Sequence, residues 1–128
     1  MSEAHAANPL ARHGHVSYLQ IPAIDPRKSA AFYREVFGWH TRTNDAGHIS
    51  FDDPAGNLIG RWDPGLAAAR EPGIMVYVYV VGIDAVVERV GPEGGEVVQP
   101  PRPEGDVWIS KVRDPAGNLI GMWQFAPR

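Results

Sequence analysis

The chain has 128 residues, zero cysteines, 44% hydrophobic and 21% charged residues, and a formal net charge of −3 from 12 basic and 15 acidic side chains. That length suits about one domain with a real core, and the composition excludes disordered and disulfide-stapled classes. A mildly acidic balance without a basic run excludes an electrostatic nucleic-acid surface, which leaves small molecules as the expected partners.

Residues 1–14 lack periodicity and are expected to form a flexible N-terminal arm carrying His5 and His13 as solvated side chains. From His15 to Ile21 the run HVSYLQI predicts a strand that stops at Pro22. Asp25-Pro26 offers an N-cap followed by proline at the first helical position, and Ala30, Ala31, Phe32, Val36 and Phe37 keep helical spacing until Gly38. A helix is therefore expected over Asp25–Phe37, followed by short strands at Trp39–Arg42, Gly47–Asp52 and Asn57–Trp62. The second half repeats the plan. Ile74–Val81 predicts a strand, Asp84 an N-cap for a helix to about Val90, and Glu96–Gln99 a strand. Pro100, Pro101 and Pro103 predict an extended loop, and Trp108–Arg113 and Asn118–Phe125 the last two strands. The longest apolar run, Ile74–Ile83, is about half a membrane span, and the start of the chain lacks a signal-peptide pattern. A cytoplasmic location without membrane contact is the expectation.

The two halves share one phrase without a change, DPAGNLIG, at Asp53–Gly60 and again at Asp114–Gly121, 61 residues apart. A tryptophan follows one residue after each copy, Trp62 and Trp123. Asp-Pro-Ala-Gly-Asn is turn chemistry, so each copy predicts a hairpin turn feeding a strand. The expected fold is α+β: two βαβββ modules from an internal duplication, module one over 15–63 and module two over 74–125, within a single domain spanning 15–128.

The order of strand, Asp-initiated helix, FYREVFGW (Phe32–Trp39) and DPAGN before a strand, repeated in weaker form, resembles the vicinal oxygen chelate superfamily of glyoxalases, bleomycin-resistance proteins and extradiol dioxygenases. The resemblance covers about residues 15–125. RDPAGNLIGMWQ (Arg113–Gln124) is similar to the glyoxalase-like bacterial branch. What the resemblance implies is a pair of curved mixed sheets around a shared concave cavity, helices on the convex side, and a homodimer.

Strand alternation sorts the side chains. Leu19 and Ile21 are expected under the first helix, with Tyr18 and Gln20 towards the cavity; Val78 and Val80 under the second helix, with Tyr77 and Tyr79 towards the cavity. In the repeat strands Ile59 and Ile120 are expected to pack outward. Leu58, Gly60 and Trp62, with Leu119, Gly121 and Trp123, are expected to face inward. The candidate ligand-binding residues are therefore Tyr18, Gln20, Trp62, Tyr77, Tyr79 and Trp123. In a generic domain such aromatics fill a closed core; the resemblance makes them the walls of a pocket.

Metal chemistry in the superfamily, by the same resemblance, uses a His or Gln in each first strand and a Glu seven residues after each Asp-Pro aspartate. Those positions here are Tyr18, Tyr77, Gly60 and Gly121. Glycine coordinates nothing, and tyrosine is a poor substitute in an oxygen-rich site. His15, three residues before Tyr18, supplies at most one ligand after a register shift. No metal ligands and no cofactor are assigned. Acid-base candidates are His48, Tyr79 and Lys111, with Gln20 as a hydrogen-bond partner; each is equally compatible with an ordinary surface or core-edge role. Three functions stay open: a metal-independent protein binding a small planar or aromatic molecule, with or without modest acid-base chemistry; a metal-dependent glyoxalase-type lyase or dioxygenase; and a non-enzymatic binding, resistance or association domain.

Overall fold

A computed structural model describes residues 8–128. His5 and the first half of the expected arm lie outside the described residues. The elements are β1 (Tyr18–Pro22), α1 (Pro26–Phe37), β2 (His40–Thr43), β3 (Ile49–Asp52), β4 (Ile59–Asp63), β5 (Tyr77–Tyr79), α2 (Ile83–Val90), β6 (Glu96–Glu104), β7 (Val107–Arg113) and β8 (Leu119–Phe125). This is βαβββ twice. None of these helices is long and apolar enough to cross a membrane.

Helix α1 begins as its sequence dictates. The Asp25 carboxylate accepts from the Arg27 amide at 3.0 Å, Pro26 occupies the first turn, and Gly38 closes the helix in the left-handed region at φ 75°. Such a cap is worth about 1 kcal/mol. Helix α2 starts differently from the expectation. Its N-cap is Gly82, at φ 79° and without a side-chain cap bond, and Asp84 instead lies in the first turn, where its charge complements the helix dipole. The proline-rich stretch is a second correction. Pro100, Pro101 and Pro103 belong to β6. They are accommodated because β6 is the edge of its sheet and its pairing with β7 carries two register shifts, so the missing N–H groups interrupt little of the ladder.

The expected curved sheets around a common concave cavity are not present. The strands form two separate, open four-stranded sheets in the orders β1-β4-β3-β2 and β5-β8-β7-β6, neither curled nor closed on the other. In each sheet the first strand pairs parallel to the last, and the remaining pairs are antiparallel. Helix α1 packs on the first sheet, α2 on the second, and the two helices touch. One core results. Module one fills it with aromatics: Phe32, Tyr33, Trp39, Phe51 and Trp62 are each 5% exposed or less. Module two contributes aliphatics, among them Ile83, Val90, Val112 and Met122, all fully buried. Burying one such side chain contributes about 1.5–3 kcal/mol.

The two copies of DPAGNLIG fold differently. In copy one the Asp53 amide donates to the Leu58 carbonyl, leaving four residues in the loop; in copy two the Asp114 amide donates to Asn118, leaving three. A one-residue change of loop length slips the following strand by one, and a slip of one exchanges its faces. In β1–β4 Ile21 stands beside Trp62, whereas in β5–β8 Tyr79 stands beside Trp123. The inward placement expected for Gly60 and Trp62, and the outward placement of Ile59, are therefore reversed in module one. In module two Ile120 is buried under α2 while Gly121 and Trp123 share the opposite face with Tyr77 and Tyr79, as alternation predicts.

Candidate functional site

Each sheet has a face turned away from its helix, and the two faces differ in chemistry. On the first sheet this face carries Tyr18, Ile59, Asp52 and His40 in one row and Gln20, Arg61, Ser50 and Arg42 in the next, with Arg42 bound to Asp52 at 3.0 Å. It is polar. On the second sheet the equivalent face carries Tyr77 and Tyr79 from β5 and Trp123 and Phe125 from β8. The Trp123 ring centroid lies 4.8 Å from that of Tyr79 and 5.0 Å from that of Phe125, both edge to face. Tyr77, Tyr79 and Phe125 are 42%, 48% and 58% exposed, so this aromatic cluster faces outward rather than filling a core. Edge-to-face rings hold one another in fixed orientations, which makes the cluster a preformed surface.

Trp62 leaves the candidate set. Its indole is 3% exposed, packed against Phe51 at 5.0 Å and Tyr33 at 5.7 Å, and its Nε1 has no hydrogen-bond partner among the described residues. Tyr18 and Gln20 lie on the exposed face of the first sheet, as alternation predicts. His48 occupies the turn between β2 and β3, where its amide donates to the Asn44 side chain at 2.9 Å. It is in the other module from Tyr79 and Lys111. Those two do share a face, with Lys111 on β7 opposite Gly121.

The seam between β1 and residues 69–78 contains an apolar hollow of about 100 Å³ lined by Leu19, Ile21, Trp39, Val76, Val78 and Ile120. That is below the several hundred Å³ of a typical small-molecule site. A neighbouring hollow of about 390 Å³ lies between the Pro54–Leu58 stretch and the two tyrosines Tyr77 and Tyr79. It reaches the aromatic face only at Tyr77 and Tyr79.

The residues present do not fit the divalent ion that the fold suggests. A Cβ built on Gly60 would run into the Leu19 carbonyl and the Phe51 ring, and one built on Gly121 would run into the Tyr77 ring. No carboxylate fits at either position without rearrangement, and the first-strand partners are phenols. Among the described residues no three His, Cys, Asp or Glu side chains converge on a point.

Below the seam lies a buried polar knot that sequence reasoning missed. The Tyr33 hydroxyl donates to Asp114 Oδ2 at 2.8 Å, and Asn118 Nδ2 donates to the same oxygen at 2.8 Å and to the Pro22 carbonyl at 2.7 Å. Asn118 Oδ1 accepts from the Ala69 amide at 2.7 Å. Burial, and then the Asp114 charge and hydrogen bond, hold the Tyr33 phenol well above its ordinary pKa. The knot ties the second hairpin to module one. Asp53 and Asn57, the same residues in copy one, have no such partners; the Asn57 carbonyl lies 2.7 Å from His15 Nε2 in solvent. Identical octapeptides gave no signal of this difference.

Known proteins share this architecture. A glyoxalase/bleomycin resistance protein/dioxygenase family enzyme from Burkholderia phytofirmans superposes with a TM-score of 0.71 at 16% identity, covering 88% of this chain and 100% of that one. TnmS3, an antibiotic binding protein from Streptomyces sp. CB03234, superposes with a TM-score of 0.66 at 21% identity, covering 88% of this chain and 97% of that one. In sequence, CFP32 of Mycobacterium tuberculosis, whose name carries the word glyoxylase, is 29% identical over 121 residues, which is 88% of this chain and 46% of that protein. The chain thus spans about half the length of that relative. A glyoxylase-like domain-containing protein of Didymella fabae is 31% identical over 94 residues, 66% of this chain and 71% of its own length. The model of one family matches residues 13–122, and the chain belongs to the Glyoxalase/Bleomycin resistance protein/Dioxygenase superfamily.

Proposed function

We propose that this chain is a binding member of the superfamily that holds a small planar or aromatic molecule against the exposed face of its second sheet, without a divalent ion at the usual positions. The observation that carries this reading is the Tyr79–Trp123–Phe125 cluster beside Tyr77, preformed and reaching solvent through Tyr77, Tyr79 and Phe125, while Phe32, Tyr33, Trp39, Phe51 and Trp62 of module one are buried. Contiguous exposed aromatic surface of this kind is uncommon on a protein that binds nothing, and ring faces suit planar ligands through stacking. The antibiotic-binding role of TnmS3 agrees with a binding function, although its likeness carries the fold alone. Within this reading the protein acts in the cytoplasm as a homodimer, a second copy covering part of the exposed face and the unpaired sheet edges.

Tryptophan fluorescence, read against a panel of aromatic and quinone-like compounds, tests the proposal. Saturable quenching in the wild type that is lost in Trp123→Phe supports it. Absence of saturable quenching by every compound overturns it.

A further inference from the structure

The exposed face of the second sheet is a grid whose two central rows change chemistry from one side to the other. Cross-strand register places Tyr77, Gly121 and Lys111 in one row, and Tyr79, Trp123 and the buried Ile109 in the next, while β6 meets β7 across two register shifts. Residues opposed in a ladder point to the same face. Ser110 and Val112 are fully buried on the helix side, which fixes Lys111 on the exposed side. The β5–β8 half of the grid is therefore aromatic, β7 presents the Lys111 ammonium, and the exposed Arg102 guanidinium lies beyond it on β6. Gly121 has no side chain, and the Tyr77 ring lies across it. The aromatic surface consequently runs without a break up to Lys111.

The polar half is short of acceptors. Among the described residues no carboxylate stands within ion-pair distance of Lys111. Arg102 meets only Glu104, at 3.8 Å with both side chains more than half exposed, a loose contact that water screens. Glu96 and Glu104 stand one row further out, opposite Arg113 and Val107. An ammonium at the border of an aromatic surface, without an acidic partner of its own, selects a group with lone pairs and negative charge.

From these rows we infer that the ligand is an anionic aromatic compound, its ring against Tyr79 and Trp123 and its carboxylate or acidic phenolate oxygen at Lys111. The inference rests on the binding face proposed above and adds the charge of its ligand. From β5 to β7 is two strand spacings, about 10 Å, a distance that a two-ring system with one acidic substituent spans. Because the charge pair lies near solvent, its contribution falls as ionic strength rises.

The test uses two probes of similar shape, 2-naphthoate and the neutral 2-naphthalenemethanol, titrated against the full chain by tryptophan quenching. Naphthoate should bind about tenfold more tightly, the size of one charge-assisted hydrogen bond. Lys111→Met should abolish that preference without changing the affinity for the neutral probe, and Lys111→Arg should restore much of it. Equal affinities for the two probes in the wild type, or an unchanged preference in Lys111→Met, overturn the inference while leaving the aromatic binding face standing. If neither probe quenches, the inference and the binding face fall together.

Discussion

The Tyr33 hydroxyl and the Asp114 carboxylate meet at 2.8 Å across 81 residues of sequence, both groups buried, and this one bond fastens α1 of module one to the hairpin of module two. Tyr33→Phe removes the donor and leaves a buried carboxylate oxygen served only by Asn118. The expected loss is about 1.5–3 kcal/mol of stability, the range for a hydrogen bond to a charged group. Urea denaturation of the two proteins at neutral pH measures it, and a change below about 0.5 kcal/mol would contradict this account.

The same pair predicts a response to alkali. The folded state holds the Tyr33 proton more tightly than the unfolded chain, mainly because burial disfavours the phenolate and secondarily because Asp114 faces it. The unfolded chain releases that proton near the ordinary tyrosine value of about 10. The contribution is complete below that pH and is lost as pH rises from there towards the folded pKa, by up to about 1.4 kcal/mol per pH unit. The stability gap between wild type and Tyr33→Phe should therefore narrow between about pH 9 and about pH 11. A gap that stays constant over that span would show that Tyr33 does not govern the alkaline limb.

Gly60 and Gly121 end identical octapeptides and should respond unequally to alanine. At Gly60 the new methyl meets the Leu19 backbone carbonyl and the buried Phe51 ring, neither of which can move cheaply; at Gly121 it meets only the ring of Tyr77, a side chain that is 42% exposed. Gly60→Ala is expected to cost about 1–3 kcal/mol or more, and Gly121→Ala less than about 1 kcal/mol. Equal losses by thermal or chemical denaturation would mean that the two strands do not differ by one residue in register.

Trp62 and Trp123 follow the same octapeptide and should divide between stability and binding. Trp62→Ala opens a void in the core and is expected to cost about 3–5 kcal/mol of stability. Trp123→Ala should cost markedly less, because its indole stands on an exposed face, and should weaken a stacked ligand by about 1–3 kcal/mol. A denaturation midpoint that falls as far in Trp123→Ala as in Trp62→Ala would make Trp123 core filler.

Elemental analysis of the purified protein should find less than stoichiometric Ni, Zn, Fe or Mn, since glycines stand at both carboxylate positions. About one such ion per chain would point to ligands other than those positions. Sedimentation at tens of micromolar should show a dimer rather than the 14.0 kDa monomer.

The order of elements was legible in the sequence because it rests on local chemistry: the Asp25 cap with Pro26, the Gly38 stop, the turn residues of DPAGN, and the alternation that put Tyr77 and Tyr79 on one side of β5 and Val78 and Val80 on the other. The family resemblance was legible for the same reason, since its motifs are turns and caps. The register of the repeat strands was not. DPAGNLIG closes a four-residue loop where its asparagine lies in water and a three-residue loop where Asn118 is bound to Pro22 and Ala69 and Asp114 to Tyr33. The segment is the same eight residues; the partners come from 49, 81 and 96 positions away. Only the packing of one module on the other supplies them, and through that one-residue slip it decides that Trp62 lies in the core while Trp123 faces out.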